Sequence, residues 1–212
     1  MGDFVTRKRW LIVAVTAVLF AIAGCAPAPR VGVVADSMGS IDPPSVIAQI
    51  EAGGNTVTRY YAEPGTTTWT HSQITSVLFD PAIDVIVVTF GLNEVRAIRG
   101  DPDITPQTMP VVLASWQTVA DQAAANGKCL VWANMQTAAP LNTEPTVGII
   151  ASLNEWTAGH ALVANWRDPV NANVWYYGGS WLQPDGFHPQ AGTGGPSEYG
   201  TVIADAIDMC PG

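Results

Sequence analysis

The run Asp84–Phe90 (DVIVVTF) constrains the fold more than any other part of the chain. Val85 to Thr89 are all β-branched, and the run is apolar at odd and even positions alike. A strand with one face in water alternates apolar and polar residues. A strand apolar on both faces must be covered on both, as in a parallel sheet held between helices. Similar short runs recur at Arg30–Ala35, Asn55–Tyr61, Cys129–Ala133 and Ala161–Trp166, and each reads as a strand. Helical patterns fall between and after them, over Ser45–Ala52, Thr70–Phe79, Pro106–Asn126, Thr146–Gly159 and Ser197–Met209. Pro43-Pro44 opens the first of these and Gly53-Gly54 stops it; Gly127 stops the third. Strands alternating with helices imply βαβ units, hence an α/β fold with helices on both faces of a parallel sheet. Ligands of such sheets bind beyond the carboxyl ends of the strands. Ser37, Gly65, Asn93 and Met135-Gln136 each follow a strand end, so the candidate chemistry gathers at one edge.

The first residues do not belong to this pattern. Arg7, Lys8 and Arg9 precede an apolar stretch, Trp10 to Ala23, of signal-peptide length and short for a membrane span. It ends in Ile22-Ala23-Gly24-Cys25, which resembles the bacterial lipoprotein cleavage box, in which the Cys becomes the lipidated first residue. The expected organisation is a signal peptide over 1–24, a lipidated Cys25 with a short tether over 25–30, and a folded domain over 31–212. An ordinary secretory signal cut after Ala26 or Ala28, or a retained anchor, are the alternatives. All three place the domain outside the cytoplasm, with a membrane contact through Cys25 in the first. The net charge of −9 becomes more negative once the basic leader is gone. The remaining bases (Arg30, Arg59, Arg96, Arg99, Lys128 and Arg167) are scattered, so no nucleic-acid partner is expected.

Export also makes a disulfide permissible. Cys129 and Cys210 are expected to form one, which would tether the C-terminal segment; two buried free thiols are the other reading. No Cys/His cluster has metal spacing, and neither a metal nor an organic cofactor is expected.

Near its end the chain reads Asp185-Gly186-Phe187-His188-Pro189, and near the start of the domain Ala35-Asp36-Ser37. A serine hydroxyl is a poor nucleophile until a histidine accepts its proton, and that histidine needs a carboxylate to fix its tautomer. Of the three histidines, only His188 has an acid three residues before it. Each residue also has a plainer reading. Ser37 suits a cap, Asp185 a Pro-Asp-Gly turn, Asn93 a loop cap and Gly65 a Pro-Gly turn.

In chain order, Asp36-Ser37, Gly65, Gly91-Leu92-Asn93-Glu94 and Asp185-x-x-His188 resemble the SGNH hydrolases, also called the GDSL esterase/lipase family. The resemblance spans about Arg30 to Gly200. It implies a three-layer α/β/α, flavodoxin-like fold on a five-stranded parallel sheet, and hydrolysis of acyl (including O-acetyl) esters through an acyl-enzyme. Carried over, Ser37 is the nucleophile, His188 the base and Asp185 its orienting acid. Ser37 and Gly65 (backbone) and Asn93 (side chain) form the oxyanion hole. The implied substrate is a small-molecule, lipid or glycan ester. Ala35 stands where the family has Gly, a small change at the end of a strand; Glu94 stands where it has Asp, and its extra methylene puts the bracing of the catalytic loop in doubt. An acyltransferase, or a non-catalytic cell-envelope binding lipoprotein on the same scaffold, are the competing readings.

Three tryptophans, Trp69, Trp132 and Trp181, fall near predicted loop or strand ends, where they are either core fillers or the border of a substrate pocket. Arg96 and Arg99 read as a solvated face or as partners of Asp101 and Asp103, with contact to an anionic substrate as the alternative.

Overall fold

The computed structural model describes residues 27–137, 144–176 and 181–211. The expected signal peptide and Cys25 lie outside the described residues. Five strands make one sheet: β1 (Arg30–Ala35), β2 (Thr56–Ala62), β3 (Val85–Thr89), β4 (Cys129–Ala133) and β5 (Leu162–Ala164). Every neighbouring pair is parallel and the order is β2-β1-β3-β4-β5. This is the doubly wound order in which the chain runs outward in both directions from β1 and β3, opening a crevice at their carboxyl ends.

The period-2 geometry of strands sorts the core into two layers. Val31, Val33, Val85, Val87 and Val131 face one side, against Val46 and Ile50 of helix α2 (Pro43–Ala52) and Tyr199, Ile203 and Ile207 of helix α8 (Gly195–Ile207). Val34, Ile86, Val88, Leu130 and Trp132 face the other. There they meet α3 (Ile74–Phe79), α5 (Met109–Ala125) and α6 (Glu144–His160). All five residues of β3 are buried, as a strand covered on both faces requires. On the second side Trp116 and Trp132 pack with ring centroids 4.5 Å apart, and Trp156 meets both edge-on.

The expected helix over Thr70–Phe79 begins only at Ile74. Upstream, the chain is held in turns by the Thr67 N–H to the Thr70 hydroxyl (2.9 Å) and by Ser72, whose N–H and hydroxyl both donate to Glu63. The helix expected from Pro106 begins at Met109. Proline at 110 has no N–H to donate to the carbonyl of residue 106, so it fits only in the first turn, where that bond is not needed. Three helices were not anticipated: α1 (Ser37–Ser40), α4 (Leu92–Arg99) and α7 (Arg167–Tyr176). The first two carry the site.

Cys129, at the start of β4, is disulfide-bonded to Cys210, 81 residues later and just beyond α8. The bond ties the terminal helix to the sheet.

Candidate active site

At the carboxyl end of β1 the chain turns straight into α1, with Asp36 as its N-cap. The Asp36 carboxylate accepts the Met38 N–H at 2.8 Å, which fixes the turn on which Ser37 stands. The Ser37 Oγ lies 2.7 Å from His188 Nε2, and His188 Nδ1 lies 2.6 Å from Asp185 Oδ2. A carboxylate only accepts, so Nδ1 carries the ring hydrogen and Nε2 is left to accept from the serine hydroxyl. The structure thus joins three residues separated by up to 151 positions in one hydrogen-bonded line.

His188 is held by a compact hairpin. Leu182 bridges Pro189, the Gln183 N–H donates to the His188 carbonyl (2.8 Å), and the Gly186 N–H donates to the Gln183 carbonyl (2.9 Å). Asp185 Oδ1 accepts the N–H groups of Phe187 (2.9 Å) and His188 (3.1 Å). Burial raises the Asp185 pKa, but these N–H donors and the His188 ring outweigh it and hold the carboxyl below its ordinary value. The Asp-x-x-His spacing therefore serves two ends, closing an Asx turn and aiming the imidazole. From the end of β4, the Gln136 side chain donates to the Gly186 carbonyl at 2.5 Å and pins the hairpin to the sheet.

Gly65 sits in the loop after β2 with φ +81°, a conformation that favours glycine, and an added Cβ there would meet nothing within 4 Å. Its N–H makes no hydrogen bond among the described residues, and the residue lines the groove. Asn93, second residue of α4, is buried. Its amide donates to the Thr66 carbonyl at 2.8 Å and reaches Asp36 Oδ2 only at 3.5 Å. The contact with Asp36 is therefore the weaker of the two. Gly91, before Asn93, has φ +154°, and a Cβ there would lie 2.5 Å from the Met135 Sδ. Only glycine lets β3 turn into α4 this close to the end of β4.

Beneath Asn93 lie two fully buried carboxyls, Asp36 and Glu94. Glu94 Oε1 accepts the Thr68 N–H at 2.9 Å, while Oε2 has no hydrogen bond among the described residues. Burial pushes the Glu94 carboxyl up to about 7, opposed by the Thr68 and Glu94 N–H groups and by the nearby Trp116 indole. That indole nitrogen makes no hydrogen bond of normal geometry. Burial, and then the Glu94 charge, push Asp36 well above the usual carboxylate range. Through the Thr68 N–H, Glu94 thus ties α4 to the loop after β2.

A groove of about 470 Å³ opens over Ser37, Gly65, Asn93 and His188, with Arg96 and Arg99 of α4 on its wall. Beside it an apolar recess of about 20 Å³ is lined by Met38, Phe90, Ile150 and Tyr199, and shares Leu92 and Phe187 with the groove. Of the tryptophans considered above, none lines either space; Trp132 is core and donates to the Phe90 carbonyl at 3.2 Å. Among the described residues no cluster of three or more His, Cys, Asp or Glu could hold a metal.

No protein-family model and no curated protein matches the chain. Solved structures do. The lipase/acylhydrolase from Enterococcus faecalis is 18% identical, with a TM-score of 0.57 over 84% of this chain and 95% of that one. A GDSL-like lipase from Bacteroides thetaiotaomicron is 14% identical, with a TM-score of 0.54 over 91% and 94%. An acetyl-xylooligosaccharide esterase from Geobacillus Stearmophilus is 11% identical, with a TM-score of 0.61 over 86% and 94%. At these identities the likeness establishes the fold: a five-stranded parallel sheet between helices, shared with lipases and acylhydrolases along nearly their whole length.

The sequence reading missed Gln136 as a brace, the Thr66 carbonyl as the partner of Asn93, and Leu92 and Phe187 as pocket walls. Gln136 had been placed after a strand end, but nothing local shows that it reaches 50 residues along the chain. For α4 a signal was present. Gly91 and Gly100 bracket Leu92–Arg99, and Gly100 ends the helix with φ +72°.

Proposed function

We propose that this chain is a serine ester hydrolase acting through Ser37, His188 and Asp185. The observation that carries the reading is the Ser37–His188–Asp185 hydrogen-bonded line at the floor of an open groove. The resemblance to SGNH hydrolases and the fold shared with acylhydrolases support it. Ser37 Oγ attacks the ester carbonyl carbon while its proton passes to His188 Nε2. The oxygen that becomes anionic is held by the N–H groups of Ser37 and Gly65 and by the Asn93 amide. The carbon–oxygen bond to the alcohol then breaks, and His188 gives its proton to the leaving oxygen. Water, deprotonated by the same nitrogen, attacks the acyl-enzyme and returns Ser37 with its proton. Asp185 keeps the ring oriented and stabilises its charged form.

The recess that shares Leu92 and Phe187 with the groove supports a short acyl group. About 10–15 Å³ is needed for one water-sized guest, so this space suits a methyl and not a chain. The wider groove then receives the alcohol half. For location, we propose an extracytoplasmic protein tethered through Cys25. The basic-apolar-Cys leader supports this, as does the Cys129–Cys210 bond, which suits an oxidising compartment. Radiolabelled palmitate incorporated by the wild type and not by Cys25→Ala would test the tether.

The function is tested by hydrolysis of p-nitrophenyl esters from acetyl to palmitoyl, with the domain from Arg30 onward and its Ser37→Ala variant. Acetyl should be the best substrate, and Ser37→Ala should lower turnover by at least about 10⁴. Near-normal turnover in Ser37→Ala would sink the assignment.

A further inference from the structure

We infer that Arg99 recognises an anionic group, a carboxylate or a phosphate, on the alcohol half of the ester. The word ester rests on the serine-hydrolase reading; the anion rests on other observations. The other described bases are engaged. Arg30 pairs with Asp84 at 2.8 Å, Arg59 with Asp80 at 3.5 Å and Arg167 with Asp168 at 2.9 Å. Lys128 Nζ donates to the carbonyls of Asp80 and Ile83, both at 2.6 Å. Arg96 pairs with Asp101 at 3.0 Å and Asp103 at 3.8 Å, and reaches Asn93 Oδ1 at 3.4 Å. Arg99 alone among these bases has neither an ion pair nor a hydrogen bond with a described residue. Asp101 feels its charge, but that carboxylate is already held by Arg96.

This unengaged cation lines the same groove as Ser37 and His188. Among the described lining residues the one acid, Asp185, is committed to the His188 ring. In a chain with 18 acids and 9 bases, the general field repels anions, so a cation kept unpaired at the groove is a local exception. A guanidinium presents a planar fork of donors that fits a carboxylate or a phosphate through two bonds. At about 470 Å³ the groove holds one small molecule, which brings an anion on the alcohol half within reach of α4 while the carbonyl sits at Ser37. The substrate class is therefore a small O-acylated acid, such as an acylated hydroxy acid, sugar acid or phosphorylated alcohol.

The test compares three esters: 4-acetoxybenzoate, its neutral methyl ester, and 4-acetoxyphenyl phosphate. The wild type should prefer the anionic esters, and whichever of the two is faster names the anion. Arg99→Ala should lower the ratio of kcat/KM for anionic over neutral ester by at least about tenfold, mainly through KM. Arg99→Lys should retain part of the preference. Arg167→Ala, which removes an equal charge outside the groove, should leave the ratio alone. An unchanged ratio in Arg99→Ala, or an equal fall in Arg167→Ala, overturns the inference while leaving the serine mechanism standing. A second measurement needs no turnover: calorimetric binding of 4-acetoxybenzoate to Ser37→Ala and to Ser37→Ala/Arg99→Ala. Binding weakened by tenfold or more in the double variant supports the anion site even if the wild type hydrolyses nothing, an outcome that would fail the hydrolase reading alone. Equal binding by the two variants counts against the anion site.

Discussion

At the scale of single residues, the site is built from groups whose environments pull in opposite directions. Asp185 is partly exposed and held ionised by N–H donors, so it can orient His188 across neutral pH. Glu94, next to Asn93 in the chain, is sealed from water and pushed up to about 7. The folded protein therefore holds a proton on Glu94 that the unfolded chain releases above its ordinary value of 4.5. The stabilisation this gives is complete below about pH 4.5 and is lost as pH rises through about 7. Measured as unfolding free energy between pH 5 and 8, Glu94→Gln should remove a slope worth on the order of 3 kcal/mol. Parallel curves for variant and wild type would mean that Glu94 ionises freely in the fold. Asn93 allows a separate prediction, because its side-chain amide is the group that would meet the oxyanion. Asn93→Ala should lower kcat by about 10²–10³, read from steady-state kinetics on an acetyl ester.

At the scale of elements, the decisive piece is α4. It carries Asn93, Glu94, Arg96 and Arg99 on one short helix, and Gly91 fixes where that helix starts. Gly91→Ala would drive a methyl into Met135 from a backbone conformation that non-glycine residues resist. It should destabilise by about 1–3 kcal/mol and lower kcat as well, since α4 must shift away from Thr66. Thermal melts and kinetics on the same preparation check both; a variant with reduced stability and unchanged kcat would show that α4 keeps its place. The strands were legible because burial on both faces leaves an unbroken β-branched run, which a local pattern reveals. α4 was not read as a helix because it spans only eight residues, too few for the Leu92, Val95 and Ile98 stripe to stand out from the loop after β3. The start of α5 was misplaced for another reason: Pro110 suits a first turn, and that depends on where the helix actually begins.

At the scale of the whole molecule, the Cys129–Cys210 bond closes a loop of 81 residues and anchors α8, whose Tyr199 lines the apolar recess. In the chain-entropy picture, a loop of this length stabilises the fold by about 4–5 kcal/mol. A Cys129→Ala/Cys210→Ala variant should melt roughly 10–15 °C lower, a shift scanning calorimetry would detect. An unchanged melting temperature would mean that the core alone holds α8. The sequence by itself determined the alternation of strands and helices, the buried parallel sheet, the position of Ser37, Gly65 and Asn93 after strand ends, and the Asp185-x-x-His188 pairing. These follow from short-range patterns: β-branched runs, glycine stops, and an acid three residues before a histidine. Only the tertiary structure decided that Ser37 and His188 lie 2.7 Å apart, that Gln136 braces the hairpin, and that Asp36 and Glu94 share a dry underlayer. It also decided that Arg99 faces the groove without a partner among the described residues. Hydrogen bonding, desolvation and charge pairing depend on distance in space, and residues 50 to 151 positions apart acquire those distances only when the sheet closes.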